Sequence, residues 1–258
     1  MTNIDVRKSY WAMVSGGKDS LFMLRYLLEH HDKYPLDGVV HLKLEIDFPF
    51  ISDVVDGMRR LCEAVHVQFV EIKPRVSWYE LYNRYGFPSR ACRWCNEHYK
   101  LDGEMQLREY LKSRGYELIC YIGYCANEKA RANKERQKKK CYIYPLIDAD
   151  IYEHDILEWA KMQPIFNNYY RFNDRCGCMF CPMASMSNHA YLLYYYPEQY
   201  ERMIELATDT ERALFEKLGR KVSVWQGNAK YDTEYRDKQI REKYLPKLME
   251  ALNNDKYR

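Results

Sequence analysis

The stretch MVSGGKDSLFML, residues 13–24, sets a serine, two glycines, a lysine, an aspartate and a second serine between an apolar run and the onset of a helical pattern. Glycines let a backbone approach a ligand closely, and the free amides at a helix start hold an anion, most often phosphate. Ser15, Gly16 and Gly17 would form that cradle. The stretch is not a Walker A loop. Aligned on Gly17 and Lys18, that motif requires glycine where Ala12 stands and serine or threonine where Asp19 stands. The plain alternative is a glycine-rich strand-to-helix turn that holds nothing.

The second chemical signal is sulfur. Cys92 and Cys95 form one C-x-x-C pair, Cys178 and Cys181 another, and Cys176 stands two residues before the second pair. Four such thiolates close a tetrahedral zinc site or hold a [4Fe-4S] cluster, and ligand softness alone does not separate the two. Gly177 and Pro182 shape the second claw, and the two claws are expected to meet, stapling the C-terminal segment onto the rest. Cys176 is a spare ligand, a reactive thiol or a buried small residue. Cys62, Cys120 and Cys141 lie in apolar contexts and read as core.

Charged groups supply further candidates. The run KERQKKK, residues 134–140, either draws phosphate-rich molecules such as RNA or DNA or forms a solvated face. His98 and Lys100 follow the first claw and are placed to reach an anion near a metal, and His189 is placed to cap the helix after the second. Asp47 follows a strand at the edge where open α/β sheets bind ligands, with Phe48 beside it as an adenine-stacking ring; a loop acid next to Pro49 is the alternative.

These groups need elements to position them. Apolar runs predict strands over 9–14, 39–44, 67–72 and 117–122 and an edge strand over 141–146. Helical spacing covers 18–31, 52–65 with Ser52 as N-cap, 77–84, 97–113 and 150–162, then 189–218 and 233–252. Strands alternating with helices build an open, mostly parallel α/β sheet with helices on both faces. Pro164 and a change of composition put a boundary near Gln163, giving a nucleotide-binding domain over 1–163 and a cysteine-bearing helical extension over 164–258.

Bulk properties narrow the classes. With 47% hydrophobic residues in 258, the chain can bury a real core. A surplus of 40 basic over 37 acidic residues does not mark a dedicated nucleic-acid binder. No run approaches the ~20 apolar residues of a membrane span and the polar start lacks a signal-peptide core, so a cytoplasmic protein without membrane contact is expected. Nine cysteines, an odd total with four of them in two C-x-x-C pairs, favour metal or redox roles in a reducing compartment over a disulfide framework. The 25 tyrosines are expected to wedge between core and surface.

S-G-G-K-D-S, residues 15–20, resembles the PP-loop of the ATP pyrophosphatase (adenine nucleotide alpha hydrolase) superfamily, whose members act between the alpha and beta phosphates of adenine nucleotides. CRWCNEHYK (92–100), GYCANEKAR (123–131), YPLIDADIYEHDI (144–156) and RCGCMFCPM (175–183) are similar to segments of the phosphoadenosine phosphosulfate (PAPS) reductase family. The resemblance implies that Ser15, Gly16, Gly17 and Ser20 contact phosphate, that Lys18 offsets its charge, and that Asp19 caps the helix or helps hold magnesium. It implies a second nucleotide segment led by Gly123, with Glu128, Arg131 and Arg136 nearby. It also favours [4Fe-4S] over zinc at the cysteines.

Two departures qualify it. Cys125 stands where family members often carry arginine, and no cysteine lies beyond Cys181 to serve as the reductases' C-terminal nucleophile. The leading expectation is a PAPS reductase-like enzyme acting at the alpha phosphate or its sulfonyl group. The alternatives are ATP-dependent adenylation for sulfur transfer to a nucleic acid or small molecule, and a non-catalytic nucleotide or redox sensor. ATP or PAPS, a sulfur donor or thiol reductant, and a second copy of the chain are the expected partners.

Overall fold

The structure, a computed structural model, describes residues 7–138, 141–225 and 229–254, with the side chains of 135–138 excepted. Five strands form one sheet: β1 (Arg7–Val14), β2 (Gly38–Leu42), β3 (Gln68–Ile72), β4 (Tyr116–Tyr121) and β5 (Tyr142–Ile143). Their order is β3-β2-β1-β4-β5, and every neighbouring pair is parallel. The inner strands carry runs of buried residues rather than strict alternation, as expected of a sheet covered on both faces.

The chain moves outward from β1 to β3, then returns past β1 to β4 and β5. The order therefore reverses beside β1, and such a reversal opens a crevice at the carboxyl ends of the two strands that flank it. Two loops leave those ends: 15–17 after β1, leading into helix Lys18–Glu29, and 122–125 after β4. Trp11, Val40, Leu107, Leu111, Leu118 and Cys120 pack as one core cluster, tying helix Leu101–Ser113 to the sheet.

Several boundaries differ from those predicted, each for a local reason. The strand expected over 141–146 stops at Ile143, because Pro145 opens a short helix, Pro145–Asp148, where proline suits the first position. The helix expected from Ser52 begins at Phe50, and Ser52 donates its hydroxyl to the Pro49 carbonyl instead of capping. The helix expected from 97 opens as a π-helical turn, Cys95–Lys100. Residues 150–162 reduce to Glu153–Lys161, with Asp150 at a positive φ of 52°.

The chain divides into two compact units. One comprises Met1–Leu44, Pro49–Arg75 and Lys100–Asn168 and contains the sheet; the other comprises Glu45–Phe48, Val76–Tyr99 and Tyr169–Arg258. The second unit is built from helices Trp78–Tyr85, Met186–Tyr195, Pro197–Leu218, Thr233–Gln239 and Leu245–Asn253, with a core of Trp78, Phe87, Trp94, Phe180 and Trp225. Both C-x-x-C pairs and Asp47 fall within it. Several tyrosines are fully buried rather than wedged at the surface, among them Tyr169 and Tyr200, whose hydroxyls find the Arg175 carbonyl and Asp237. Among the described residues, no helix is long and apolar enough to cross a membrane.

Candidate nucleotide site and cysteine claws

The turn after β1 is held by its own two serines. The Ser15 amide donates to Ser20 Oγ at 3.2 Å, and Ser20 Oγ donates to the Gly17 carbonyl at 2.9 Å. Gly16 has a φ of +76°, and a Cβ there would sit 2.6 Å from Ile51 Cγ2, so both conformation and space demand glycine. Gly17 occupies the N-cap position of helix Lys18–Glu29 in extended conformation, and no side chain caps that helix. A side-chain-free helix start next to glycines is the geometry that receives an anion.

Lys18 is only 1% exposed. Its ammonium lies 2.8 Å and 2.9 Å from the two carboxylate oxygens of Asp19 and 3.3 Å from Glu153 Oε1. Asp19 is thus engaged with its neighbour and makes no cap bond. Glu153 was missed by sequence reasoning, although it lies in a quoted segment. It is fixed by a reciprocal pair in which Asn127 Nδ2 donates to Glu153 Oε2 at 3.2 Å and the Glu153 amide donates to Asn127 Oδ1 at 3.1 Å.

The second glycine-led segment lies against the first. A Cβ on Gly123 would stand 3.1 Å from the Asp19 carbonyl oxygen, so a bare glycine permits this close approach. Cys125 Sγ donates to Asp19 Oδ1 at 3.5 Å, and the Cys125 amide reaches Glu128 Oε2 at 3.4 Å. Arg131 Nη1 donates to Glu128 Oε1 at 3.0 Å while its guanidinium covers the Tyr124 ring at 4.2 Å. A line of polar contacts therefore runs from Lys18 through Asp19, Cys125 and Glu128 to Arg131. Burial and the Asp19 charge push the Cys125 thiol well above its ordinary pKa, which keeps it protonated.

Other predicted groups are placed differently. Asp47 belongs to the second unit, and Phe48, read as an adenine-stacking ring, is 2% exposed and packed against Tyr169, Tyr191 and Tyr196. Arg136 and most of the basic run 134–140 lie outside the described side chains. Cys62 and Cys120 are core, but Cys141 is half-buried and accepts from Arg108 Nη2 at 3.3 Å. Burial raises the Cys62 pKa to about 11.

In the second unit the claws share a frame. Trp94, inside the first claw, and Phe180, inside the second, both pack on the Trp78 ring, at centroid distances of 5.6 Å and 5.3 Å. Cys178 lies within electrostatic reach of Tyr99, whose hydroxyl accepts from the Glu45 amide at 2.9 Å. The second claw is turned by backbone bonds, from the Cys181 amide to the Cys178 carbonyl at 3.2 Å and from the Ala184 amide to the Cys181 carbonyl at 3.0 Å. Gly177 is not sterically required, since a Cβ there would make ordinary contact with Cys181. Cys176 is half-buried and lies beside Tyr169.

The four-thiolate site expected at Cys92, Cys95, Cys178 and Cys181 is not drawn together. Among the described residues, no three His, Cys, Asp or Glu side chains form a metal-holding group, and none of the nine cysteines is in a disulfide. Cys92 is exposed at a turn closed by Ser89, whereas Cys95 and Cys178 are buried. Trp78 Nε1 is a buried donor with no partner, on a ring packed against Trp94 of the first claw and Phe180 of the second.

His189 does not cap its helix. Ser185 does, in a capping box with Asn188, a pattern of serine and amide three residues apart that was legible in the sequence. His189 is fully buried and accepts from Arg236 Nε at 3.0 Å; burial holds its pKa well below the ordinary range. Arg236, which no motif flagged, also donates to the carbonyls of Ala184 at 2.7 Å and Ser185 at 3.3 Å.

No family model matches the chain. Two curated relatives, the uncharacterized proteins MJ0973 and MJ0066 of Methanocaldococcus jannaschii, are each 26% identical to it, over 200 and 210 residues. The matches cover 74% and 76% of this chain but 46% and 41% of those proteins, so the chain spans less than half the length of the curated relatives it matches. Among solved structures, the U34-tRNA thiolase NcsA from Methanococcus maripaludis with its [4Fe-4S] cluster is similar over 92% of this chain and 74% of that one, at 15% identity and a TM-score of 0.39.

Proposed function

We propose that this chain is a PP-loop enzyme that binds ATP at residues 15–20 and activates an acceptor by adenylation for sulfur transfer. The observation that carries the reading is the buried Lys18 at the uncapped start of its helix, inside a glycine turn at the point where the strand order reverses. An acceptor oxygen attacks the alpha phosphorus, the bond to the bridging oxygen of the beta phosphate breaks, and pyrophosphate leaves. A sulfur nucleophile then attacks the activated carbon, the carbon–oxygen bond breaks, and AMP leaves carrying the acceptor oxygen.

Within that scheme the amides and hydroxyls of Ser15, Gly16, Gly17 and Ser20 hold the leaving pyrophosphate, and Lys18 offsets its charge. Glu153 and Asp19 hold Lys18 in place, while Gly123 lets the Glu128–Arg131 segment lie along the helix start. Magnesium, when bound, adds charge neutralisation at the phosphates. Cys92, Cys95, Cys178 and Cys181 are the thiols that would have to gather to hold a [4Fe-4S] cluster or zinc, and such a group, when bound, would supply a thiophilic centre for the sulfur half-reaction.

Adenylation is favoured over PAPS reduction because the thiol at the turn, Cys125, is fully buried and bonded to Asp19, so it offers no exposed thiolate to a sulfonyl group. The test is calorimetry of ATP and PAPS on protein purified without oxygen, with pyrophosphate release measured alongside. ATP is expected to bind more tightly, and Ser15→Ala with Lys18→Ala to weaken it about 100-fold, as the loss of two charge-assisted bonds implies. A preference for PAPS would restore the reductase reading. Tight ATP binding without turnover on any acceptor would leave a sensor.

A further inference from the structure

The segment 84–98 in the second unit carries Arg84, Arg90, Arg93 and His98 against a single carboxylate, Glu97. All four basic side chains are exposed, and none of the three arginines has an ion-pair partner among the described residues. The segment is folded back on itself, with Trp94 Nε1 donating to the Gly86 carbonyl at 3.1 Å and residues 89 and 92 closing a turn. Its positive charges are therefore held together on one short piece of surface. Glu80, one turn before Arg84 and within electrostatic reach of it, is engaged in the cap of its own helix, so arginines carried on this folded segment without an ion pair among the described residues fit a row of phosphates.

Aromatic rings lie between these charges. From the buried Trp78, a ladder passes to Trp94 at 5.6 Å, to Tyr85 at 6.3 Å and 29°, and to His98 at 5.7 Å and 15°. Tyr85 is 42% exposed, and the Arg84 guanidinium lies 5.9 Å from its centroid. The ladder starts in the core and ends on an exposed ring with no further ring partner among the described residues. A rigid stack whose last member faces water is a platform for another flat ring.

A cavity of about 350 Å³ opens beside Tyr85, bordered also by Tyr82, Asn83, Asp209, Thr210 and Lys217. Asp209 is paired with Arg212, and Thr210 Oγ1 accepts from the Phe87 amide at 2.8 Å, so both are committed. Asn83 and Lys217 have no hydrogen bond or ion pair among the described residues. A free carboxamide offers both a donor and an acceptor, the pair needed to read the edge of a base. The volume lies at the small end of ligand clefts, which run from roughly 300 Å³ upward.

We propose that this face of the second unit, formed by Arg84, Arg90, Arg93, Tyr85, His98 and the Asn83 cavity, binds a single-stranded nucleic acid. Phosphates lie along the arginines, one base covers His98, and a neighbouring base enters the cavity. The assignment rests on the sulfur-transfer reading for its meaning, since it makes the nucleic acid the acceptor that ATP activates. Duplex is disfavoured because its bases are already stacked on one another and cannot cover His98.

The test is fluorescence anisotropy of the full chain with a labelled mixed-sequence 20-nucleotide single strand, repeated over a salt series. Arg84→Ala/Arg90→Ala/Arg93→Ala should lower the slope of log affinity against log salt by about 2, as three lost phosphate contacts imply for a single strand. His98→Ala should weaken binding about tenfold while leaving the slope unchanged, the mark of a lost stacking partner. These residues are exposed, so neither variant should alter the fold, and circular dichroism checks that. Unchanged affinity in the triple variant overturns the proposal. So does binding of poly-glutamate or inorganic polyphosphate that equals binding of the strand, which would make the face a general anion surface or a protein-docking one. ATP calorimetry on the same variants separates the two readings: strand binding lost with ATP binding intact supports this surface, whereas a strand that binds while ATP does not bind the unaltered chain sinks the adenylation reading alone.

Discussion

Two buried cations, one in each unit, have opposite surroundings. Lys18 is 1% exposed and faces two carboxylates that are themselves partly open to solvent, Asp19 at 34% and Glu153 at 22%. Arg236 is 4% exposed and faces no carboxylate; it is satisfied by two carbonyls, by His189 Nδ1 and by the Trp225 ring 4.5 Å away. An ion pair with exposed partners can exchange them for a ligand at small cost, whereas fixed carbonyls and a buried ring leave nothing to exchange. Burial of a cation therefore does not mark function; the accessibility of its partners does.

The largest expected effect tests the structural half of that contrast. Arg236→Met should cost about 3–5 kcal/mol in urea unfolding, because the buried His189 ring and the part-buried carbonyls of Ala184 and Ser185 lose their donor together and the Trp225 ring loses its cation. A loss below about 1 kcal/mol would mean that the Ala184–His189 stretch does not depend on the guanidinium, and the contrast would collapse.

The functional half predicts a split between stability and binding. Lys18→Met should cost only about 1–2 kcal/mol of stability, since the two carboxylates it abandons can be hydrated, yet weaken ATP about 100-fold by calorimetry. Equal stability losses at Lys18 and Arg236 would show that both are scaffolding.

The smallest effect concerns His189, whose pKa burial and the Arg236 charge hold well below 6.5 in the folded state. The unfolded chain then binds a proton that the folded chain refuses, so stability is complete above the unfolded pKa near 6.5 and falls as pH drops below it. At pH 6 the loss is about 0.8 kcal/mol, growing toward about 1.4 kcal/mol per further pH unit until the folded ring itself protonates. His189→Gln should flatten that limb of the denaturation profile. His41, buried in the sheet unit beside the Val14 carbonyl, is shifted in the same direction, so comparing His41→Gln with His189→Gln apportions the slope between the units.

The shape of the glycine turn after β1 was legible because everything that forms it is contiguous. Ser15, Gly17 and Ser20 bond one another, and the flanking strand and helix are signalled by local periodicity. Glu153 was not legible, since nothing near it says that its carboxylate reaches Lys18, 135 residues away in sequence. The cysteine pairs were legible as spacing but not as a geometry. C-x-x-C spacing specifies a pair, while Trp78, on which both pairs rest, looks like any core aromatic. Phe48 misled for the converse reason, because a ring at a strand edge reads alike whether it awaits adenine or is already covered by tyrosines.

Residue order alone was enough for a parallel α/β sheet with a glycine-rich turn after its first strand, because strand, turn and helix each follow from neighbours within a few positions. Tertiary structure decided which carboxylates hold Lys18, which thiols stay buried, and which arginines have no ion-pair partner among the described residues. Those outcomes depend on side chains brought together from distant parts of the chain, where the same residue can be neutralised, enclosed or left open according to what folds against it.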